Sequence, residues 1–200
     1  MKQALAFFGA FNPPTVAHLG LAEMALRLSG REKALFVPSQ SVYIEQNQGK
    51  DFAYSDEARL AMLRAAAKSR PWMEVIDWEL SQPRQPRTYR TLCHLKEEGW
   101  QAALLIGSDK LAEMERGWLH VPEIAAEFGI VCLSRGQDDC KRLLRENAFF
   151  AKLAPHIQVI DSPESTRNVS STQVRKRVFQ IKELEKELRT LVPEEILPLL

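Results

Sequence analysis

Short apolar runs alternate with longer stretches of helical character along most of this chain. The runs fall at Ala4–Phe8, Ala34–Val37, Glu74–Trp78, Ala102–Ile106, Gly129–Leu133 and Ile157–Ile160. Several are apolar without a break, the pattern of strands buried on both faces. Helical patterns lie between them at 16–29, 56–69, 88–98, 110–127 and 138–153, with Pro122 a candidate break in the fourth. This alternation predicts an α/β fold, a doubly wound parallel sheet with helices on both faces. From Ser170 onward the pattern is helical only, and Pro193 is expected to open a last short helix. Two loops are long for a compact domain, one from Ser39 to Tyr54 and one at "SQPRQPR", 81–87. Such loops at strand ends serve as lids or binding loops, or are ordinary surface variation.

Composition narrows the picture. With 200 residues, 45% of them hydrophobic, the chain suits one domain spanning 1–200, with 165–200 as its helical C-terminal part. A formal net charge of +1 argues neither for a nucleic-acid partner nor for a membrane-surface protein, and neither is expected. Arg175, Lys176 and Arg177 read as one solvated helix face. Cys93, Cys132 and Cys140 form no C-x-x-C, which speaks against a disulfide framework or a zinc ribbon. The N-terminal apolar run is short and leads into a turn, so neither a signal peptide nor a membrane span is expected. A cytoplasmic enzyme or binding domain fits best. His18, His94, His120 and His156 lack metal-ligand spacing, and no structural metal is expected.

Candidate chemistry begins at "FFGAFNPPTVAHLGLAE", residues 7–23. In an open parallel sheet, ligands bind beyond the carboxyl ends of the strands. Gly9 ends the first run there and allows a tight turn and close approach of a ligand to the main chain. Asn12 and Pro13, each preceding a proline, hold the chain extended before the helix. The free N–H groups of that helix start form an anion site. Thr15 and His18, three residues apart, share its first turn and point at the same anion, for which phosphate is the natural candidate. Neither G-x-x-x-x-G-K-[ST] nor G-x-G-x-x-G is present. A second stretch, "NVSSTQVRKRV" at 168–178, places Ser170, Ser171 and Thr172 before a helical pattern, with Arg175 three residues on. Alone it is an ordinary capped helix. Beside the first cradle it suggests a polyphosphate held between the two.

At these residues the sequence resembles the nucleotidylyltransferases. "GAFNPPTVAHL" resembles their (H/T)-x-G-H region and "VSSTQVR" their I-S-S-T-x-x-R motif. Within that superfamily the order and spacing of further segments is similar to the nicotinate (nicotinamide) mononucleotide adenylyltransferases. These segments are "SDEARLAMLRAA", "TYRTL", "LLIGSD" and "LVPEEILPLL". There are departures. Ala17 replaces the signature glycine. Thr15 stands where bacterial members carry a first histidine, as in eukaryotic-type members. The P-P-H-K segment is absent from "VYIEQNQGKDF", leaving Lys50 as its counterpart. Arg87 takes the place of a tyrosine beside Thr88. Trp118 sits about where a ring-stacking tryptophan is expected, with roughly one residue of extra spacing from Asp109.

The resemblance implies a Rossmann-like fold and direct adenylyl transfer from ATP to a pyridine mononucleotide in NAD biosynthesis, with Mg²⁺ arriving on ATP. It implies that His18 donates to the α-phosphate, assisted by Thr15 and by N–H groups of the Gly9–Ala10–Phe11 turn. Ser170, Ser171, Thr172 and Arg175 would hold the β- and γ-phosphates, and Asp109 a ribose hydroxyl. Lys50, Arg87, Thr88 and Trp118 would form the mononucleotide side, with Arg87 and Thr88 favouring the acid over the amide. Two other readings stay open on sequence. One is a nucleotidylyltransferase acting on phosphopantetheine or a CTP-dependent substrate, against which Trp118 and the Thr88 helix weigh. The other is a degenerate regulatory nucleotide-binding module, favoured by Ala17 and opposed by Thr15, His18 and Arg175 together. A free sheet edge or the 110–127 stretch would serve a homo-oligomer interface.

Overall fold

The computed structural model describes residues 1–47, 52–134, 140–161 and 170–191. Six parallel strands form one sheet: β1 (Lys2–Gly9), β2 (Lys33–Pro38), β3 (Met73–Val75), β4 (Trp100–Gly107), β5 (Ile130–Ser134) and β6 (Ile157–Asp161). Their order is β3-β2-β1-β4-β5-β6. The direction of winding reverses between β1 and β4, which is where a doubly wound sheet opens its ligand crevice. Alternate residues of β1 enter opposite cores. Ala4 and Ala6 join the apolar cluster under α4 (Thr88–Glu97), α5 (Ser108–Gly117) and α6 (Val121–Phe128). Leu5 and Phe7 join the cluster under α1 (Val16–Ser29) and α3 (Asp56–Ala67). Helices on both faces are therefore present as the apolar pattern predicts.

Element ends follow local chemistry. α1 starts at the N-cap Thr15 and stops at Gly30, whose φ of 68° is left-handed and whose N–H reaches the Leu26 carbonyl. Other boundaries differ from the sequence expectation. The Ser39–Tyr54 loop contains α2 (Ser41–Asn47). The third strand is only Met73–Val75, and Trp78, expected to end it, opens a 3₁₀ turn to Ser81. The 110–127 pattern is two helices parted before Pro122, at His120 with φ 60°. Pro122 lies in the first turn of α6, where its missing N–H costs nothing. The 138–153 pattern breaks at Asn147, whose side chain accepts from the N–H groups of Phe149 and Phe150 and restarts the chain as α8 (Ala148–Leu153) after α7 (Cys140–Glu146). The C-terminal helix is α9 (Ser171–Leu191). The helix expected at Pro193 lies outside the described residues. Among those residues no helix is long and apolar enough to cross a membrane.

Candidate active site

Every connection from one strand to the next parallel strand leaves from the carboxyl edge, so the helices start there. α1, α3, α4 and α5 thus present their N-termini on one side of the sheet, and α9, following β6, joins them. Gly9 ends β1 at this edge. A Cβ at Gly9 would lie 3.1 Å from the Phe11 ring, so glycine is what lets that ring fold back beneath the strand end. Phe11 is buried at φ 42°, with ring centroids 5.3 Å from both Phe36 and His18. The turn is therefore held by an aromatic wedge as well as by its prolines.

His18 is set by the first turn of α1. The Thr15 N–H donates to His18 Nδ1 at 3.0 Å, the Thr15 hydroxyl lies 2.8 Å from the same nitrogen, and the His18 N–H donates to Thr15 Oγ1 at 3.4 Å. With Nδ1 accepting, the neutral ring carries its proton on Nε2, which is the ring's donor. Thr15 is buried. Its hydroxyl caps the helix and orients the imidazole, where the sequence suggested that both side chains point at one anion.

Three carbonyls around the turn are gripped by Arg59, which is fully buried on α3. Its Nε donates to Tyr54 O at 3.1 Å, one terminal nitrogen to Ala10 O at 2.7 Å, and the other to Ser39 O and Asp56 Oδ1, both at 2.5 Å. Burial pushes the guanidinium below the usual arginine range; the hydrogen bond and charge of Asp56 push it back. In a trans peptide C=O and N–H point opposite ways. Fixing the Ala10 carbonyl on Arg59 therefore turns the Phe11 N–H to the other side. Asn12, also buried, donates to Phe52 O at 2.8 Å and accepts from Tyr54 N at 2.9 Å. Sequence reasoning missed Arg59 and gave Asn12 only a backbone role. Arg59 shares the inward stripe of α3 with Leu63, four residues on, and that register was a usable sign.

α9 closes the other side. Ser171 Oγ donates to Pro13 O at 2.7 Å, and Arg175 donates to Asn12 O at 2.6 Å and to Thr172 Oγ1 at 3.2 Å. Ser170 Oγ accepts from the Gln173 N–H and caps the helix. The three hydroxyls expected to face phosphate are thus engaged within the protein. The first turn of α9 takes Ser170 and Thr172, and Ser171 is claimed by the Asn12-Pro13-Pro14 run, whose carbonyls belong to neither sheet nor helix and need donors. What α9 can offer an anion is its first-turn N–H groups and the remaining guanidinium hydrogens of Arg175.

The remaining candidates divide. Asp109, exposed, lies in the first turn of α5 at the end of β4, across the switch point from Gly9. Arg87 is the exposed N-cap of α4 and makes no side-chain cap, and Thr88 begins that helix. Trp118 terminates α5 at the end away from Asp109, and lines a cavity of about 670 Å³ with Leu143, Asn147 and Phe150. The structure therefore puts Trp118 about a helix length from the edge that carries the other candidates. Lys50 lies outside the described residues. Also at this edge is Glu79, 1% exposed in the 3₁₀ turn before α4. Its carboxylate accepts from Thr91 Oγ1 at 2.6 Å and from the Gln85 side-chain amide. Burial raises its pKa to about 7 against the pull of those two hydrogen bonds. Among the described residues no cluster of three or more His, Cys, Asp or Glu could hold a metal ion.

A family model described as cytidylyltransferase-like matches residues 6–177. A probable nicotinate-nucleotide adenylyltransferase of Roseiflexus sp. (strain RS-1) is 34% identical over 177 residues, covering 86% of this chain and 83% of that protein. Its counterpart in Caldicellulosiruptor bescii is 28% identical over 196 residues, covering 98% and 96%. The fold is similar to that of the nicotinic acid mononucleotide adenylyltransferase of Plasmodium falciparum complexed with NaAD, with a TM-score of 0.68 at 19% identity over 88% of this chain and 83% of that one.

Proposed function

The chain belongs to the cytidylyltransferase-like family, in its nicotinate-nucleotide adenylyltransferase branch, and from that premise we propose how its residues transfer the adenylyl group of ATP to a pyridine mononucleotide. The enzyme joins the two in NAD biosynthesis and releases pyrophosphate. The mononucleotide's phosphate oxygen forms a bond to the α-phosphorus as the bond from that phosphorus to the β-phosphate oxygen breaks. A phosphate monoester has a second pKa near ~6, so the nucleophile is already largely dianionic at neutral pH and needs no general base. Catalysis is then alignment and neutralisation of charge on the transferring and leaving oxygens.

The observation that carries the assignment of roles is the meeting of two helix starts on one loop, Ser171 and Arg175 of α9 seated on Pro13 and Asn12 beside Thr15 and His18. His18 Nε2–H donates to the α-phosphate, and the Phe11 N–H turned out by Arg59 assists. The first-turn N–H groups of Ser171 and Thr172, with Arg175, receive the leaving pyrophosphate. Asp109 accepts from a ribose hydroxyl. Mg²⁺ would arrive bound to ATP and would supply charge neutralisation on its phosphates. The purified protein should release pyrophosphate from MgATP only when a pyridine mononucleotide is added. Turnover with phosphopantetheine alone, or with no acceptor at all, would contradict the assignment.

The ring's carboxyl or carboxamide group is received at the start of α4. Its free N–H groups suit a carboxylate, and the Arg87 guanidinium adds to them. The acid mononucleotide is thus preferred. Arg87→Ala is expected to lower the acid-to-amide ratio of kcat/KM by a few-fold, the scale of an exposed charge contact. A parent enzyme that prefers the amide would refute the preference, and an unchanged ratio in the variant would remove Arg87 from it.

A further inference from the structure

The mechanism above leaves one buried ionisable side chain at the carboxyl edge without a task. Glu79 sits where three segments meet. Its carboxylate takes the Thr91 hydroxyl, from the first turns of α4, and the Gln85 amide, two residues before the Arg87 cap. Gln85 in turn accepts from the Gln40 N–H at 2.8 Å, and the Gln40 side chain donates to the Glu79 and Gln82 carbonyls at 3.0 and 2.7 Å. Gln40 follows β2, so the network ties the β2–α2 connection and the 82–87 segment to the helix start that receives the ring's polar group. Every side-chain partner of the carboxylate is neutral. The charged and titratable groups on the surrounding elements lie outside the network. On α3, Arg64 pairs with Asp77 at 2.8 Å. On α4, Arg90 lies over the Trp78 ring at 5.7 Å, and His94 stacks on that ring at 4.3 Å. Arg87 is exposed at the cap.

Through the Thr91 hydroxyl this carboxylate lies beside the same helix start that the substrate's carboxylate would use. The two negative charges would stand within about two helical turns, ~10 Å, in a poorly solvated site. We propose that Glu79 sets the enzyme's choice between the acid and amide mononucleotides: ionised, it opposes a second carboxylate at the start of α4, and protonated, it admits one. The inference rests on the proposed placement of the ring group at α4. Burial places the titration near pH 7, so acid preference is high below that pH and falls as pH rises through it. The carboxamide carries no charge, and the pyridinium and phosphate charges that the two mononucleotides share cancel in the ratio. Two unit charges ~10 Å apart at an effective dielectric of ~20 interact enough to change the ratio about tenfold.

The test measures kcat/KM for nicotinate and nicotinamide mononucleotides from pH 6 to 8 in the parent and in Glu79→Gln. Both substrates carry the same phosphate, so its titration cancels in the ratio. The expected result is a fall of about tenfold in the parent, with Glu79→Gln flat near the parent's low-pH value. A flat parent ratio overturns the proposal. So does a fall that persists in Glu79→Gln, which would assign the effect to another group. Should Glu79→Gln fail to fold, calorimetry on the parent in buffers of different ionisation enthalpy decides. The acid must take up more protons on binding near pH 7 than the amide does, and equal uptake overturns the proposal. If neither mononucleotide supports pyrophosphate release, the function assigned above fails and this inference falls with it, an outcome distinct from turnover of both with a flat ratio.

Discussion

His18→Ala is expected to lower kcat by ~10²–10³-fold while KM for ATP stays within a few-fold of the parent. That is the scale for removing one preorganised donor to a developing oxyanion, about 2.7–4 kcal/mol. The split between the constants follows from a contact that strengthens as charge builds on the α-phosphate. The ring also completes the cap of α1 and packs on Phe11 and, more loosely, on Phe7 at 6.2 Å. A structural cost of ~1 kcal/mol therefore accompanies the loss. A melting curve measures that cost separately, since a folded variant with an unchanged KM cannot owe a 10²-fold loss to instability. Activity within a few-fold of the parent would remove His18 from the transition state.

Arg59→Met is expected to be the most destabilising single change at this edge, by ~3–5 kcal/mol, the range for breaking a buried ion pair by deleting one partner. The cost is steep because the Ala10, Ser39 and Tyr54 carbonyls lose their donor at once and Asp56 loses its countercharge. In urea unfolding, the midpoint should fall by one molar or more. Arg64→Met is the internal control. Its pair with Asp77 is exposed on both sides, and such pairs contribute ~0–1 kcal/mol. Arg59→Lys should recover little, because one ammonium cannot serve donors to three separate segments in the plane that the guanidinium fixes. An Arg59→Met variant within about 1 kcal/mol of the parent would mean that the loops satisfy those carbonyls by other means.

These two residues also mark what the chain discloses in one dimension. His18 lies in a helix whose cap, apolar stripe and terminal glycine are all local, so both ends of α1 stand where the pattern puts them. The strands with unbroken apolar runs are visible for the same reason, whereas the third, whose run is interrupted by Asp77, is displaced to Met73–Val75. Arg59 and Glu79 depend on partners 20 to 49 and 12 residues away, and on loops whose paths only the sheet order fixes. Seen in sequence, each is a charged residue in a helical or turn context, and exposure is the default. The three hydroxyls at 170–172 show the converse. Their type announced an anion cradle, but the proline run across the crevice claims Ser171, and the helix's own first turn claims Ser170 and Thr172. Trp118 was placed by spacing alone, and the unbroken turns of α5 carry it away from the edge.

The Arg175–Asn12 contact joins residues 163 positions apart. β1 is an inner strand of the sheet, paired with β4 as well as with β2. Its nucleation therefore waits for distant chain, and loop closure over such spans is slow. The seat of α9 is the loop that follows β1, so this contact joins parts of the fold that are far apart in the chain. A chain cut before α9 would leave the carbonyls of Asn12 and Pro13 without the donors that Arg175 and Ser171 supply.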